Sequence, residues 1–342
     1  MRAIVYRQTG DPNVLTLVER PEPRPRTGEV LVRVAVSGVN PTDWKRRRGD
    51  GPGRSLDFPE VVPNQDGAGS IEAVGEGVDP ARVGERVWLW EAARNRANGT
   101  AQELLTIPSN QAVALPEGAP FDLGASIPIP TMTAHRCLTV GVDGPAALGP
   151  DALAGRTVLV AGGAGAVGHA AVELAVWSGA TVITTVSTPE KVALALAAGA
   201  HHVVNYRERG ADKAIRDVAP DGVDLIVEVA PVANVVLNTA VVAPNGTVAI
   251  YECETDALTI DADAAFPANT RYQFVLTYTV PRTAKEQAIH DITDALAAGA
   301  LGVGDEAGLP LHRFPLERTA DAHAAVENNA VGKVLIDINR AS

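Results

Sequence analysis

The chain carries two patterns of apolar and polar positions, and the pattern changes near Pro130. Up to about residue 125, apolar runs are short and are separated by turn residues, as in the proline-rich segment 21–25. The predicted strands of this first region cover residues 3–6, 29–37, 69–74 and 86–89. The region is therefore expected to be irregular and mostly β.

From residue 156 onward, strand-like runs alternate with longer helix-like stretches. The predicted strands cover residues 157–161, 181–186, 202–205, 223–229 and 246–251. The predicted helices cover residues 166–178, 190–198 and 211–218. Alternation at this spacing is typical of a parallel sheet with helices on both faces. A strand at 273–278 and a helix at 285–298 extend the pattern, and the strand-like segment 332–339 is expected to return to the first region.

A glycine-rich turn follows the first strand of the second region. Gly163, Gly165 and Gly168 meet the G-x-G-x-x-G spacing, which gives a tight turn, lets the backbone approach a diphosphate and packs the next helix closely on its strand. The helix N-terminus adds free N–H groups and a partial positive charge. Taken alone, the motif also fits a plain glycine-rich turn. A strand precedes the motif, a helix follows it, and a second strand comes after that helix at the expected spacing. This context favours dinucleotide binding.

The end of the second strand bears on which dinucleotide is bound. Sites that prefer NAD usually place Asp or Glu there, where it binds the ribose hydroxyls. Here the strand is followed by Ser187, the nearby cation is Lys191, and Arg207 follows the third strand. A small hydroxyl with a cation suits a 2′-phosphate and favours NADPH. The alternative for Lys191 is an ordinary surface lysine, although the helix dipole disfavours a cation at a helix start.

Composition and charge narrow the function classes. The chain has 342 residues, 46% hydrophobic residues and a net charge of −12, which argues against nucleic acid as a partner. The basic run 45–48 is expected to be a solvated face or loop. Two distant cysteines, Cys137 and Cys253, exclude a disulfide framework and a Cys-x-x-Cys zinc site. No apolar signal core or run of about 18 apolar residues occurs, so a cytoplasmic protein without a membrane partner is expected.

Nine stretches together carry a resemblance to a known family. They cover residues 38–43, 66–69, 83–87, 99–103, 127–134, 158–168, 187–191, 205–207 and 332–335. On these stretches the chain resembles the medium-chain dehydrogenase/reductase superfamily, and within it the zinc-free quinone oxidoreductase branch that includes zeta-crystallin.

The resemblance implies a fold and a division of the chain. The fold is α/β, with a Rossmann-type doubly wound parallel sheet and a GroES-like, mostly-β catalytic domain. The expected domains are the GroES-like domain over 1–125, the NADPH-binding domain over 126–268, and, over 269–342, the last Rossmann elements and the return to the catalytic domain. The likeness also implies a homodimer in which the edge of the nucleotide-binding sheet, near 273–278, pairs across a two-fold axis.

The resemblance also assigns site residues. Metal-using members hold a catalytic zinc partly through a Cys and a His, and those positions look like Asn40 and Gln65 here. The residues implied for NADPH are Gly163, Gly165, Gly168 and the backbone of Ala166 and Val167 at the diphosphate, Ser187, Lys191 and Tyr206 at the 2′-phosphate, and Asn40, Thr133 and Tyr251 near the nicotinamide. The family usually has Gly after the fifth strand, whereas Tyr251 is followed by Glu252, Cys253 and Glu254, which leaves the substrate open.

Hydride transfer without a metal needs an acceptor that spreads the developing negative charge. A quinone or an enone does so, and hydrogen-bond donors worth about 3 kcal/mol each then suffice. Asn40 is a candidate donor, with a structural role in an Asn-Pro turn as an equal alternative, and Asp43 is expected to orient that loop. Together with the resemblance, these residues predict an NADPH-dependent, zinc-independent reductase that transfers hydride to a quinone or a related conjugated carbonyl. The alternatives are a 2-alkenal or enoyl reductase and a non-catalytic, crystallin-like NADPH-binding protein; no Tyr-x-x-x-Lys supports a short-chain dehydrogenase.

Overall fold

The computed structural model describes residues 1–49, 56–253 and 256–339. The chain packs into two compact units. The first unit combines Met1–Ile129 with Pro310–Ser342, and the second is Pro130–Leu309. The boundaries therefore fall after Ile129 and after Leu309, compared with the expected positions after residues 125 and 268.

The described residues form 15 strands and ten α-helices. The strands are β1 (Arg2–Val5), β2 (Thr16–Glu19), β3 (Glu29–Val39), β4 (Asp66–Val74), β5 (Arg86–Leu89), β6 (Leu104–Pro108), β7 (Ala112–Ala114), β8 (Thr157–Ala161), β9 (Thr181–Val186), β10 (His202–Asn205), β11 (Val223–Glu228), β12 (Val242–Ile250), β13 (Arg271–Phe274), β14 (Leu311–Pro315) and β15 (Lys333–Asp337). The helices are α1 (Pro41–Arg48), α2 (Phe121–Ser126), α3 (Pro128–Leu138), α4 (Ala166–Trp177), α5 (Pro189–Ala197), α6 (Ala211–Val218), α7 (Pro231–Val241), α8 (Ala262–Ala265), α9 (Arg282–Ala297) and α10 (Thr319–Glu327).

The first unit is built on a mostly antiparallel sheet. Its strand order is β14-β15-β3-β4-β5-β7, with β6 also pairing with β3. Val30, Val32 and Val34 of β3 are fully buried, which is the period-two pattern of a strand with one face on a core. β15, from near the end of the chain, lies directly beside β3 in antiparallel register.

The second unit is built on a parallel sheet. Its strand order is β10-β9-β8-β11-β12-β13, which in chain order reads 3-2-1-4-5-6 and places a topological switch point between β8 and β11. β8 is buried from Val158 to Ala161, as expected for a strand covered on both faces. The two sheets confirm the predicted fold class. No helix among the described residues is long and apolar enough to cross a membrane.

Several predicted elements need correction. β12 begins at Val242 rather than at 246, because the turn-like residues near Asn245 lie within an irregular part of the strand where the register to β11 shifts. β13 ends at Phe274, and a 3-10 turn covers Thr277–Thr279, so the predicted strand over 273–278 is displaced. Helix α7 was not predicted, although Pro231 at its first position is a common helix start.

The expectation that the basic run 45–48 is a solvated face or loop is wrong for Arg47. The run forms the last turn of α1, and the Arg47 side chain is completely buried. Its guanidinium contacts Glu327 of α10 at 2.7 Å, and Arg48 contacts the other oxygen of the same carboxylate at 2.5 Å. A buried guanidinium paired in this way joins α1 to α10, so the run serves packing within the first unit.

Candidate active site

The glycines of the turn between β8 and α4 lack side chains for two different reasons. A Cβ on Gly163 would lie 2.2 Å from Thr184 Oγ1, and one on Gly168 would lie 2.3 Å from the carbonyl oxygen of Gly162. Packing within the protein therefore requires both of these glycines. A Cβ on Gly165 would meet nothing closer than 3.5 Å, and Gly165 is exposed. The absence of a side chain at Gly165 leaves the backbone accessible to a ligand and is not needed to avoid a clash.

The N-terminus of α4 opens onto this turn. Gly165 precedes the helix, and no side chain in the described part of the protein caps it. The first helical hydrogen bond runs from the His169 N–H to the Gly165 carbonyl at 2.7 Å. The N–H groups of Ala166 and Val167 come before that bond, where a helix leaves donors unsatisfied. Free donors at the positive end of a helix dipole, beside an exposed glycine, form a cradle suited to a phosphate.

A second cluster lies at the carboxyl ends of β9 and β10. Lys191 Nζ donates to Ser187 Oγ at 3.2 Å, and the N–H of Tyr206 donates to the carbonyl of Val186 at 3.1 Å. The structure thus brings Ser187, Lys191 and Tyr206 to the same edge of the sheet. Within the described part of the chain, Lys191 has no carboxylate partner. A half-buried ammonium without an anion beside it is suited to bind one.

Thr133 and Tyr251 are held within the second unit by contacts of their own. Thr133 is buried, and its hydroxyl lies 2.7 Å from that of Thr277. The Tyr251 N–H, one residue after β12, donates to the carbonyl of Glu228 at 3.1 Å, and burial raises the pKa of Tyr251. Glu252 accepts from the N–H of Cys253 at 2.8 Å, whereas Glu254 lies outside the described residues.

A buried carboxylate at the end of β11 was missed by the sequence analysis. Glu228 accepts from the N–H of Ala230 at 2.5 Å and from the side-chain amides of Asn234 at 2.9 Å and Asn238 at 2.6 Å. It therefore supplies the acceptor that the first turn of α7 needs. The available signal was an acid inside an apolar run, followed by two asparagines on one helical face. The carboxylate fixes the loop at the topological switch point.

In the first unit, three strand ends bring Asn40 into a buried cluster with Lys333 and Asp66. Val39 pairs with Val334 and Gly38 with Asp66, so the residue after β3 faces the starts of β15 and β4. Lys333 Nζ donates to Asn40 Oδ1 at 2.7 Å, and Asn40 Nδ2 donates to Asp66 Oδ2 at 2.6 Å. The ammonium and the Asp66 carboxylate are 3.7 Å apart, with side-chain exposures of 1% and 0%.

Burial shifts the pKa values of the charged groups around Asn40. It raises the pKa of Asp66 to about 6, although Lys333 and the Asn40 amide act in the opposite direction, and it lowers the pKa of Lys333. Asp43 Oδ2 accepts from the backbone N–H of Asn40 at 2.8 Å, at the N-terminus of α1. Burial raises the pKa of Asp43 to about 7, with a further contribution from the Asp66 charge. The Asp43 contact holds the chain entering α1 in place.

The positions compared with zinc ligands both carry amides. Gln65 is buried, and its Oε1 accepts from the N–H of Ala93 at 3.1 Å. Asn40 contacts an ammonium, which repels a divalent cation. Structural and catalytic zinc sites use thiolate, imidazole or carboxylate ligands. Within residues 1–49, 56–253 and 256–339, no group of three or more such side chains is arranged to hold a metal. These residues therefore do not fit a zinc ion.

The predicted site residues fall into the two units as two sets. Asn40 and Asp43 lie together in the first unit, and the residues proposed for the cofactor lie in the second. Sequence reasoning missed four buried partners of these sets: Lys333, Asp66, Thr277 and Glu228. Lys333 and Asp66 lie in stretches that carry the family resemblance, which was the signal available for them.

Known proteins resemble the whole chain. The alcohol dehydrogenase GroES-like domain family matches residues 26–117, and the zinc-binding dehydrogenase family matches residues 166–294. Human quinone oxidoreductase is 30% identical over 342 residues, covering 98% of this chain and 97% of that relative. A mycobacterial protein solved in complex with NADPH has a TM-score of 0.81 at 29% identity, covering 98% of this chain and 99% of its own.

An NAD-dependent alcohol dehydrogenase of known structure has a TM-score of 0.83 at 25% identity, covering 99% of this chain and 100% of its own. The alcohol dehydrogenase thus shares the architecture, while the human relative is similar in sequence along nearly its full length. Together they confirm the family predicted from the sequence: the chain belongs to the medium-chain dehydrogenase/reductase superfamily, in its zinc-free quinone oxidoreductase branch, and is an oxidoreductase.

Proposed function

We propose that the protein is an NADPH-dependent reductase that transfers hydride to a quinone or a related conjugated carbonyl without using zinc. The observation that carries the proposal is the Asn40 amide, buried against Lys333 and Asp66 at a position where metal-using relatives have a ligand. A site that offers hydrogen bonds instead of a Lewis acid suits an acceptor whose negative charge is already delocalised.

The second unit fits NADPH at two places. The exposed Gly165 and the free N–H groups of Ala166 and Val167 bind the diphosphate. Ser187, Lys191 and Tyr206 bind the 2′-phosphate, which gives Lys191 the anion that its surroundings lack. A mycobacterial relative solved with NADPH at 29% identity supports this choice of cofactor. NADPH, when bound, supplies the hydride. Thr133 and Tyr251 are assigned to the nicotinamide side.

The first unit supplies the acceptor side of the reaction. Asn40 donates a hydrogen bond to the substrate oxygen as negative charge develops on it, and such a donor contributes about 3 kcal/mol in a dry, preorganised site. Asp43 holds the backbone of Asn40 through its N–H at 2.8 Å. The human relative at 30% identity is named quinone oxidoreductase, which supports a quinone as the acceptor.

Steady-state oxidation of NADPH by the purified protein tests the proposal. The panel contains quinones and enones, each measured with NADPH and with NADH, and the metal content of the same sample is determined. We expect turnover with quinones, preference for NADPH, no stoichiometric zinc and no effect of a chelator. Turnover with enones alone would make the protein a 2-alkenal or enoyl reductase. NADPH binding without any turnover would support a crystallin-like role instead.

A further inference from the structure

The buried ion pair of Lys333 and Asp66 contacts the candidate catalytic amide of Asn40 on both sides. We propose that Lys333 and Asp66 are positioning residues that fix the Asn40 carboxamide with its carbonyl turned to the ammonium and one N–H left for the substrate oxygen. This inference rests on the proposed function, because it concerns how Asn40 is prepared for an oxyanion. It assigns a role to the two charged members of the Asn40 cluster.

The chemistry of the two partners allows one orientation of the amide. An ammonium only donates hydrogen bonds and an ionised carboxylate only accepts them. The carbonyl of Asn40 therefore faces Lys333 at 2.7 Å, and its NH2 group faces Asp66 at 2.6 Å. A flipped amide would place NH2 against the ammonium and the carbonyl against the carboxylate, which loses both hydrogen bonds and adds two repulsions. An Asn between two hydroxyl groups, each of which can donate or accept, would lack this constraint.

The orientation leaves a donor available. The NH2 group of Asn40 has two N–H bonds, and Asp66 accepts from Nδ2. Among the residues that the structure describes, no other acceptor contacts Nδ2. A developing oxyanion needs an N–H and is repelled by a carbonyl, so the orientation decides whether Asn40 helps or hinders the reaction.

The fold makes room for this arrangement at Gly38 of β3. A Cβ there would lie 2.1 Å from the carbonyl oxygen of Ala125 and 3.2 Å from Cε of Lys333. The lysine stem therefore passes over a bare backbone position before its ammonium reaches Asn40. Burying such a pair costs desolvation that the Coulomb attraction often only offsets, so the pair contributes little net stability. Fixing the orientation of the Asn40 amide accounts for the presence of the buried pair.

The test compares turnover in a set of four variants. Lys333→Met removes the cation and keeps the side-chain volume, and the pair variant K333M/D66N removes both charges so that no carboxylate is left buried alone. N40A removes the amide, and N40A/K333M completes a double-mutant cycle. We expect kcat with a quinone to fall about 10- to 100-fold in K333M and in K333M/D66N. Arg313→Met, which breaks the ion pairs of this β14 residue to Asp337 of β15 and to Asp122 of α2, is the matched control.

If Lys333 acts through Asn40, N40A/K333M has the same kcat as N40A. Additive losses in the cycle, or wild-type kcat in folded K333M/D66N, would overturn the proposal. The Kd for NADPH, measured without quinone, should stay within about twofold of wild type in K333M, K333M/D66N and R313M, since Lys333, Asp66 and Arg313 are not among the residues proposed to bind it. A loss of kcat in R313M equal to that in K333M would mean that any broken ion pair on the sheet has this effect.

A readout without turnover separates this inference from the proposed function. The side-chain N–H resonances of Asn40, assigned by their loss in N40A, should show one slowly exchanging, ordered amide in wild type. They should exchange faster and average in K333M/D66N. If the amide is equally ordered in both, the positioning role fails whatever the activity. If wild type reduces no quinone while the amide behaves as expected, the proposed function fails and the orienting contact stands.

Discussion

The glycine turn of the second unit and the Asn40 cluster of the first unit are built in opposite ways. The turn lies within one continuous stretch, Val158–Gly168, and is proposed to bind its ligand through bare backbone. The cluster joins Asn40 to Asp66, 26 positions away, and to Lys333, 293 positions away, and works through buried charge. A site made of backbone is determined by one short stretch of sequence, whereas a site made of paired charges depends on the register of strands that are distant in sequence.

The two sites should therefore fail for different reasons. Added volume at Gly163 or Gly168 damages the turn, because these two glycines are packed against Thr184 and the Gly162 carbonyl. Added or removed charge damages the cluster, because Lys333 and Asp66 are almost without solvent.

The largest effect is expected from alanine at the packed glycines. In Gly168→Ala the new Cβ meets the Gly162 carbonyl at 2.3 Å, so the turn must move. We expect a loss of at least about 1–3 kcal/mol in the free energy of unfolding, the usual range for overpacking, and loss of most NADPH affinity. Gly165→Ala, whose Cβ has 3.5 Å of room, should keep wild-type stability and still weaken NADPH. Urea denaturation and NADPH titration measure the two effects.

Thr184 provides a control for the packing argument. In Gly163→Ala the clash is with Thr184 Oγ1 at 2.2 Å and, more mildly, with its Cβ at 3.1 Å. Adding Thr184→Ala removes the hydroxyl and should restore part of the stability lost in Gly163→Ala. Thr184→Ala alone measures the cost of losing the hydrogen bond from Thr184 Oγ1 to the Val160 carbonyl at 2.8 Å. Additive losses in the cycle of these variants would contradict the packing argument, as would a Gly165→Ala variant as unstable as Gly168→Ala.

The same contrast explains what could be predicted from the sequence. The bounds of β8, β9, β10 and α6 matched the predicted ones, because apolar periodicity and turn residues are local signals. The glycine turn between β8 and α4 could be predicted for the same reason. Lys333, Asp66 and Glu228 were missed as site partners, since a charge inside an apolar run says nothing about which distant group it meets. Arg47 was read as solvated because no local feature reveals its partner Glu327.

Lys191 tests the cluster at the carboxyl ends of β9 and β10, where charge rather than volume matters. A charge-assisted contact to the 2′-phosphate contributes roughly 1.5–3 kcal/mol, which is about a 10- to 150-fold change in affinity. Lys191→Ala should weaken NADPH by that factor and leave NADH nearly unchanged, because NADH has no such phosphate. Ser187→Asp should go further by repelling the phosphate and offering the ribose of NADH a partner.

Fluorescence titration with both cofactors measures the change, and Lys213→Ala, at an exposed position of the same unit, is the matched control. Equal weakening of NADPH and NADH by Lys191→Ala would show that the lysine does not bind the 2′-phosphate.

The pH dependence of the free energy of unfolding tests the buried charge of Asp43, beside the Asn40 cluster. Burial raises its pKa from 3.8 to about 7, so between these values the folded chain binds a proton that the unfolded chain has released. The resulting stability is present in full below pH 3.8 and is lost as the pH rises to about 7. Asp43→Asn keeps an acceptor for the Asn40 N–H and removes the charge. It should reduce the loss of stability between about pH 5 and pH 8 by at least 1.4 kcal/mol, the equivalent of one pKa unit.

Urea denaturation at both pH values gives the comparison, and wild type serves as the reference because all other titrating groups are shared. If the two proteins lose the same free energy of unfolding between these pH values, the Asp43 carboxyl does not carry a raised pKa in the folded state.

The smallest effect on either site is expected from the edge of the parallel sheet. β13 ends that sheet, and Phe274 and Leu276 at this edge are 62% and 56% exposed. An unpaired strand edge with exposed apolar side chains favours pairing with a second copy, and we expect a homodimer in solution. Phe274→Glu should give a monomer by light scattering, whereas Val142→Glu, also at an exposed apolar position of the second unit, should leave the dimer intact.

In the monomer, kcat and the Kd for NADPH should stay within about twofold of wild type, because the glycine turn and the Asn40 cluster are each built from residues of one chain. A monomeric wild type would remove the edge from consideration, and a monomeric Phe274→Glu without NADPH binding would show that the second unit needs its partner to form the turn.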